Sequence, residues 1–219
     1  MGIPSIFVGG TGTDVGKTHV AAGLVRMLRE MDMNVGVMKP YSAGQHDGTG
    51  ISPDARILAD AAGIPPTPEM NPHHQALEAP PYTGSGAAAL HPTLMVERYR
   101  RLAADRDVMV VEGMGGLLVP ILPDYFMADL ARDMCLRTLV VADNAVGTIH
   151  HTVSTLLACR HRGTEAAGIV LNMIRDGYGR DLLQDMLRGV TDTPVLAALS
   201  RSGRPGHLDG VDAGALLGI

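Results

Sequence analysis

Cysteine and lysine are both scarce in this 219-residue chain, and each has only two representatives. Cys135 and Cys159 form neither a CxxC pair nor a Cys/His ligand spacing, which argues against a disulfide framework and a structural zinc site and points to a reducing compartment. A surplus of positive charge is missing too: the formal net charge is -5 and the pI about 5.9. Without a basic block there is no footprint for a nucleic-acid backbone or an anionic membrane surface. No apolar run approaches the roughly 20 residues that cross a bilayer. Met1 to Ser5 lack a charged n-region and an apolar h-region. The expectation is a cytoplasmic protein with no membrane and no nucleic-acid partner.

What is present is ample apolar material, 46% of residues with 19% charged, enough to bury a sizeable core. The length suits a single domain over residues 1–219. Of the 18 basic residues, 16 are Arg, and the two lysines, Lys17 and Lys39, both fall inside motifs. Lys is a compact point charge on a flexible stem, suited to following a phosphoryl group.

Short apolar runs alternate with helical periodicity, the pattern of an α/β fold with an open, mostly parallel sheet and helices on both faces. Strands are expected at Ile3 to Val8, Asn34 to Met38, Asp107 to Val111, Thr138 to Ala142, Ala167 to Leu171 and Pro194 to Leu199. Their near-continuous apolar character fits strands covered on both sides. Helices are expected at Lys17 to Met31, Asp54 to Ala62, Thr93 to Ala104, Ala128 to Met134, His151 to Arg162, Arg180 to Leu187 and Val211 to Leu217. Between them, Gly63 to Pro92 is Pro-rich and irregular, and such a long segment in a compact domain reads as a cover over a site.

The strongest motif is the run from Gly10 to Thr18, GTGTDVGKT, set between a strand and a helix. A Gly-rich turn there aims backbone N–H groups at a triphosphate, and the helix adds its positive end. Gly12, Thr13, Asp14, Val15 and Gly16 form the turn, Lys17 faces the β and γ phosphates, and the Thr18 hydroxyl is placed for magnesium. The loop is one residue longer than the standard P-loop, and GxGxxxG does not match the dinucleotide fingerprint. The chain is therefore read as a P-loop NTPase-type domain that binds a nucleoside triphosphate with Mg2+.

Two carboxylates complete a metal site on paper. Glu112 follows four apolar residues at the carboxyl edge of a strand, where open α/β sheets present residues to ligands. Asp54, in Ser52-Pro53-Asp54, is either a ligand or a first-turn acid favoured by the helix dipole. Lys39 ends the second strand at the same edge, placed to hold a phosphoryl group or an anionic substrate. The pairs His73-His74 and His150-His151 lack ligand spacing, because adjacent residues point to different sides of an element. The thirteen methionines read as core fillers.

These motifs together resemble dethiobiotin synthetase, over nearly the whole chain: GTGTDVGKT, KPYSAG from Lys39, SPDA from Ser52, VEGMGGLLVP from Val111, ADNAVGTIHHT from Ala142 and GIVLN ending at Asn172. The resemblance implies that Thr18, Asp54 and Glu112 hold magnesium and that Thr13, Lys17 and Lys39 contact phosphates or a carbamate. It implies that Asn172 reads the adenine, and that Lys39, Ser42, Gly115, Gly116 and His150 lie against the substrate. The reaction it implies takes 7,8-diaminopelargonate, CO2 and ATP to dethiobiotin in a homodimer with the substrate at the subunit interface. The chain departs from the family's pattern in four places. Ala43 stands where the family has Ser, beside Ser42, and His150 stands for Asn. A tail-binding Tyr is missing near Leu183, and no Gly-x-x-Pro follows Pro194. The alternative readings are a related ATP-dependent carboxylate-activating, amide-forming ligase, or a P-loop ATPase switch. The first normally carries a glutaminase domain, and the second an extra Lys where this chain has Gly12.

Overall fold

A computed structural model of the protein describes residues 4–44, 48–83, 91–172, 177–199, 208 and 214. Its centre is a parallel sheet of six strands: β1 (Ile6–Gly10), β2 (Val35–Met38), β5 (Val108–Gly116), β8 (Arg137–Asp143), β9 (Ala166–Asn172) and β10 (Val195–Leu199). In space the order is β10-β9-β8-β1-β5-β2, and every pairing within it is parallel. The strands follow from sequence because alternate residues serve opposite cores. Ile6 and Val8 pack with α1 (Lys17–Glu30) and α2 (Pro53–Ala62), whereas Phe7 points to the other face. That second face is covered by α3 (Pro92–Ala103), α4 (Met127–Asp133), α5 (Thr148–Arg162) and α6 (Arg180–Arg188). A strand between two helical layers needs apolar residues at every position, which is why these runs are continuous.

Helix α1 shows the same logic at 3.6 residues per turn: Val20, Ala21, Leu24, Val25 and Leu28 are all buried. Helix α2 begins on Ser52, whose hydroxyl accepts from the Ala55 N–H at 3.2 Å, with Pro53 in the first turn, and ends on Gly63 in a left-handed conformation. Among the described residues no helix is long and apolar enough to cross a membrane.

The structure corrects the sequence reading in three places. Strand β5 runs past Val111 through Glu112 to Gly116, because its Gly-rich end can follow the P-loop, with Gly10 opposite Gly116. Helix α5 begins at Thr148 rather than His151; the Thr148 hydroxyl donates to the Asp143 carbonyl at 2.6 Å and anchors the first turn. The Pro-rich stretch is partly ordered. It holds β4 (His73–Gln75), which pairs in parallel with β3 (Tyr41–Ala43), and a 3-10 turn at Pro81–Thr83. A short hairpin, β6 (Pro120–Leu122) and β7 (Tyr125–Phe126), precedes α4. The helix expected over Val211 to Leu217 lies outside the described residues apart from Gly214, which is helical, and the first residue of the expected first strand, Ile3, lies outside them too.

Candidate active site

Strands β1, β2 and β5 are adjacent, and all three deliver their carboxyl ends to one edge of the sheet. There a cleft of about 930 Å³ opens between the P-loop and the segments after β2 and β4. Thr13, Asp14, Gly16, Lys17 and Thr18 line one wall, and Lys39, Ser42, Asp54, Glu112 and Gly115 are among the residues lining the rest.

The P-loop wall is held by its own contacts. Lys17 Nζ donates to the Gly12 carbonyl at 2.8 Å, folding the loop over its own lysine. Gly16 has φ 88°, and a Cβ there would lie 1.9 Å from Asn172 Nδ2, so only glycine fits. The same Asn172 amide donates to the Val15 carbonyl at 3.0 Å and ties the loop to the end of β9. Val15 is buried beneath the loop. Helix α1 starts on Gly16 with no side-chain cap among the described residues and no acidic residue in its first turn, which leaves its N–H groups and positive end for an anion.

Opposite the loop, Lys39 is 3% exposed and Glu112 fully buried. Lys39 Nζ lies 2.6 Å from Glu112 Oε1 and 2.9 Å from Asp54 Oδ2, and donates to the Gly113 carbonyl at 3.2 Å. Thr18 Oγ1 donates to the same Glu112 Oε1 at 2.8 Å. Four residues, two from the carboxyl ends of β2 and β5 and two from the first turns of α1 and α2, separated by up to 94 positions, thus share one polar point.

The charges shape one another. Burial and the neighbouring Lys39 ammonium lower the Lys17 pKa to about 8, against the opposing pull of Glu112, Asp54 and Asp14. For Lys39, burial alone lowers the pKa, but the charges and hydrogen bonds of Glu112 and Asp54 outweigh it and hold the ammonium above its ordinary value. Burial pushes the Asp54 carboxyl up, and Lys39 more than reverses this, so the group stays below the usual range. Glu112 is pushed up by burial against the attraction of Lys39.

The donors suit a hard divalent cation. Two carboxylates and a hydroxyl meet there, and Glu112 Oε2 is buried with no hydrogen-bond partner among the described residues. An orphaned carboxylate oxygen at a ligand edge is the atom a magnesium ion would satisfy. No group of three or more His, Cys, Asp or Glu side chains forms a metal cluster among the described residues; the third oxygen at this point is the Thr18 hydroxyl, 2.8 Å from Glu112 Oε1.

The other residues singled out in the sequence divide. Thr13 and Gly115 face the cleft, and a Cβ on Gly115 would lie 3.6 Å from the Thr13 hydroxyl. Gly116 lies in the β1–β5 ladder rather than on the cleft wall. Ser42 lines the cleft, but its hydroxyl is bound by Asn71 and by His74 Nδ1 at 2.8 Å. Ala43 lines the cleft as well, and the engaged hydroxyl of Ser42 does not simply replace one at Ala43. His150 is exposed in the first turn of α5, its ring 5.7 Å from that of His151, and is not among the residues lining the cleft. Asn71 and Glu78 escaped the sequence reading, and His74 was weighed there only as a metal ligand; all three lie within the Pro-rich stretch. Only the reading of that stretch as a cover pointed to them, and Glu78, Ala79 and Pro80 do line the cleft.

Comparison with known proteins follows the same lines. Residues 4–203 match a family profile described as an AAA domain. The chain is 38% identical over 200 residues to the ATP-dependent dethiobiotin synthetase of Nitrosopumilus maritimus, covering 89% of this chain and 88% of that protein. It is 36% identical to that of Akkermansia muciniphila, with 89% and 91% covered. Among solved structures it resembles the septum site-determining protein MinD of Pyrococcus horikoshii complexed with Mg-ADP. The TM-score is 0.55 at 18% identity, over 97% of this chain and 88% of the other. The signal recognition particle receptor FtsY of Elizabethkingia anophelis gives a TM-score of 0.56 at 16% identity, over 99% and 64%. These two likenesses are of fold.

Proposed function

This chain belongs to the ATP-dependent dethiobiotin synthetase family, and we propose that it closes the ureido ring of dethiobiotin on 7,8-diaminopelargonate, each wall of its cleft serving one reactant. It is an ATP-dependent ligase of P-loop fold. The observation that carries the reading is the buried Lys39 beside Glu112 and Asp54, facing a P-loop whose own lysine is separately held.

One substrate amine attacks CO2, loses a proton and becomes a carbamate. A carbamate oxygen then takes the γ-phosphoryl group as ADP departs. The second amine attacks the activated carbon, loses a proton and expels phosphate, closing the ring. The enzyme forms no covalent bond in this sequence; its work is alignment and charge neutralisation.

Lys17 and the N–H groups of Gly12 to Thr18 hold the polyphosphate, with the Thr13 hydroxyl beside the transferred group. An arriving polyphosphate restores full charge to Lys17, whose ammonium is weakened by burial. Lys39 neutralises the carbamate and stays with it as charge develops. Thr18, Asp54 and Glu112 would hold Mg2+, which neutralises phosphate charge when bound. Ser42 and Gly115 bound the diamine end, with Gly116 behind them in the sheet, and Asn172 serves the adenine from the loop's far side. His150 lies off the cleft of its own chain, which suits a site completed by a second copy in a homodimer. The cytoplasm, where ATP is made, is its place of work.

Calorimetric titration of 7,8-diaminopelargonate with bicarbonate and a non-hydrolysable ATP analogue tests the proposal. Saturable binding of the diamine supports it. Nucleotide binding with no diamine binding under any condition contradicts it.

A further inference from the structure

Asn71 belongs to none of the motifs above, yet it is 3% exposed and its amide is engaged on both sides. Its Nδ2 donates to the Lys39 carbonyl at 2.8 Å and to the Ser42 hydroxyl at 3.0 Å. Its Oδ1 accepts from the Ser52 backbone N–H at 2.8 Å. One of these main-chain partners is a pure acceptor and the other a pure donor, so the amide has a single orientation that serves both. Ser52 caps α2 two residues before Asp54. A single buried side chain therefore fastens the strand end that carries Lys39, the hydroxyl of Ser42 and the helix start that presents Asp54. The P-loop takes no part in this set of bonds.

We infer that Asn71 is a positioning residue that sets the placement of Lys39 and Ser42 against the carbamate, and of the helix start that carries Asp54 beside them, without itself touching a reactant. This rests on the proposed function. Displacing a reacting group by about 1 Å can lower a rate about 100-fold. Nucleotide grip, in contrast, depends on contacts within the P-loop and from Asn172, which Asn71 does not reach.

Two variants separate positioning from space filling. Asn71→Asp keeps the size and the acceptor for Ser52 but turns a carboxylate oxygen toward the Lys39 carbonyl; Asn71→Ala removes every bond. Diamine-dependent phosphate release gives kcat and KM, and titration with a non-hydrolysable ATP analogue gives nucleotide affinity. Both variants are expected to lose kcat by about 30-fold or more, with Asp no better than Ala despite its size, while nucleotide affinity stays within about twofold. Asn71→Ser, which leaves room for water beside the freed groups, carries the same test if either variant does not fold.

A folded variant with wild-type kcat, or a nucleotide affinity that falls in step with turnover, would overturn the inference alone. A wild-type protein that releases phosphate without the diamine would overturn the proposed function, and the inference with it.

Discussion

The two walls of the cleft are built in opposite ways. The P-loop is one contiguous run, Gly10 to Thr18, held by the Lys17–Gly12 bond inside it, by the Thr11 N–H on the Val141 carbonyl, by the Asn172 amide from β9 and, at its last residue, by the Thr18 hydroxyl on Glu112. The facing wall is gathered from Lys39, Ser42, Asp54, Asn71 and Glu112, which come together only because parallel strands end at one edge and a short β3–β4 pair folds across it. The first wall is a local motif that any triphosphate-binding protein can carry. In the proposed function Lys39 and Ser42 of the second wall serve the acceptor, and its two carboxylates the metal between the walls. Substitutions in the two walls should therefore fail differently, and the difference is measurable.

The largest effect is expected at Lys17. Lys17→Ala removes the cation facing the β and γ phosphates, and loss of one such transition-state contact lowers turnover about 100- to 1,000-fold. Nucleotide affinity should fall as well, and the fold should persist, as circular dichroism and ATP-analogue titration can check. A folded variant with wild-type turnover would remove the P-loop from the chemistry.

Lys39→Met should show the contrasting signature. Ring closure is expected to drop by about 100-fold while ATP-analogue affinity changes by less than about threefold, because the lost contact strengthens only as charge develops on the transferred group. Equal losses in both would erase the distinction between the walls. The variant also leaves Glu112 buried without its cation, so thermal stability should fall, since an uncompensated buried charge costs about 3–5 kcal/mol.

The contrast also explains what was legible in the sequence. The P-loop and the six central strands could be read because each rests on short-range information: a glycine pattern, or an apolar run with turns at its ends. Glu112 and Lys39 could be placed at the edge because parallel strands share a direction. Asn71 could not, since its worth lies in bonds to residues 19 to 32 positions away, and nothing in Met-Asn-Pro-His signals them. The β3–β4 pair was missed for the same reason: three-residue strands have no periodicity to detect. His150 was read from a family position, and its exposed place on α5 needed the helix start at Thr148.

A more moderate effect is expected where the walls meet. Asp54→Asn and Glu112→Gln should each raise the magnesium concentration for half-maximal activity by about tenfold, as hard cations prefer anionic oxygen. Unchanged magnesium titrations in both would take these residues out of the metal site. The smallest effect is expected at Glu78, an exposed carboxylate on the cleft wall. Glu78→Gln should raise KM for the diamine, which carries an ammonium group, by about two- to fivefold at low salt with kcat unchanged, since a single exposed ion pair contributes about 0.2–1 kcal/mol. A change in nucleotide KM instead would place Glu78 on the wrong wall.

Single-turnover release of phosphate from ATP tests the division of labour most directly, run with the wild-type protein and with diamine and bicarbonate supplied together, singly or not at all. Phosphate should form rapidly only when both are present, because in the proposed function the carbamate they make is the acceptor, held by Lys39 before the P-loop. Release at the same rate whether or not the diamine and bicarbonate are supplied would contradict it.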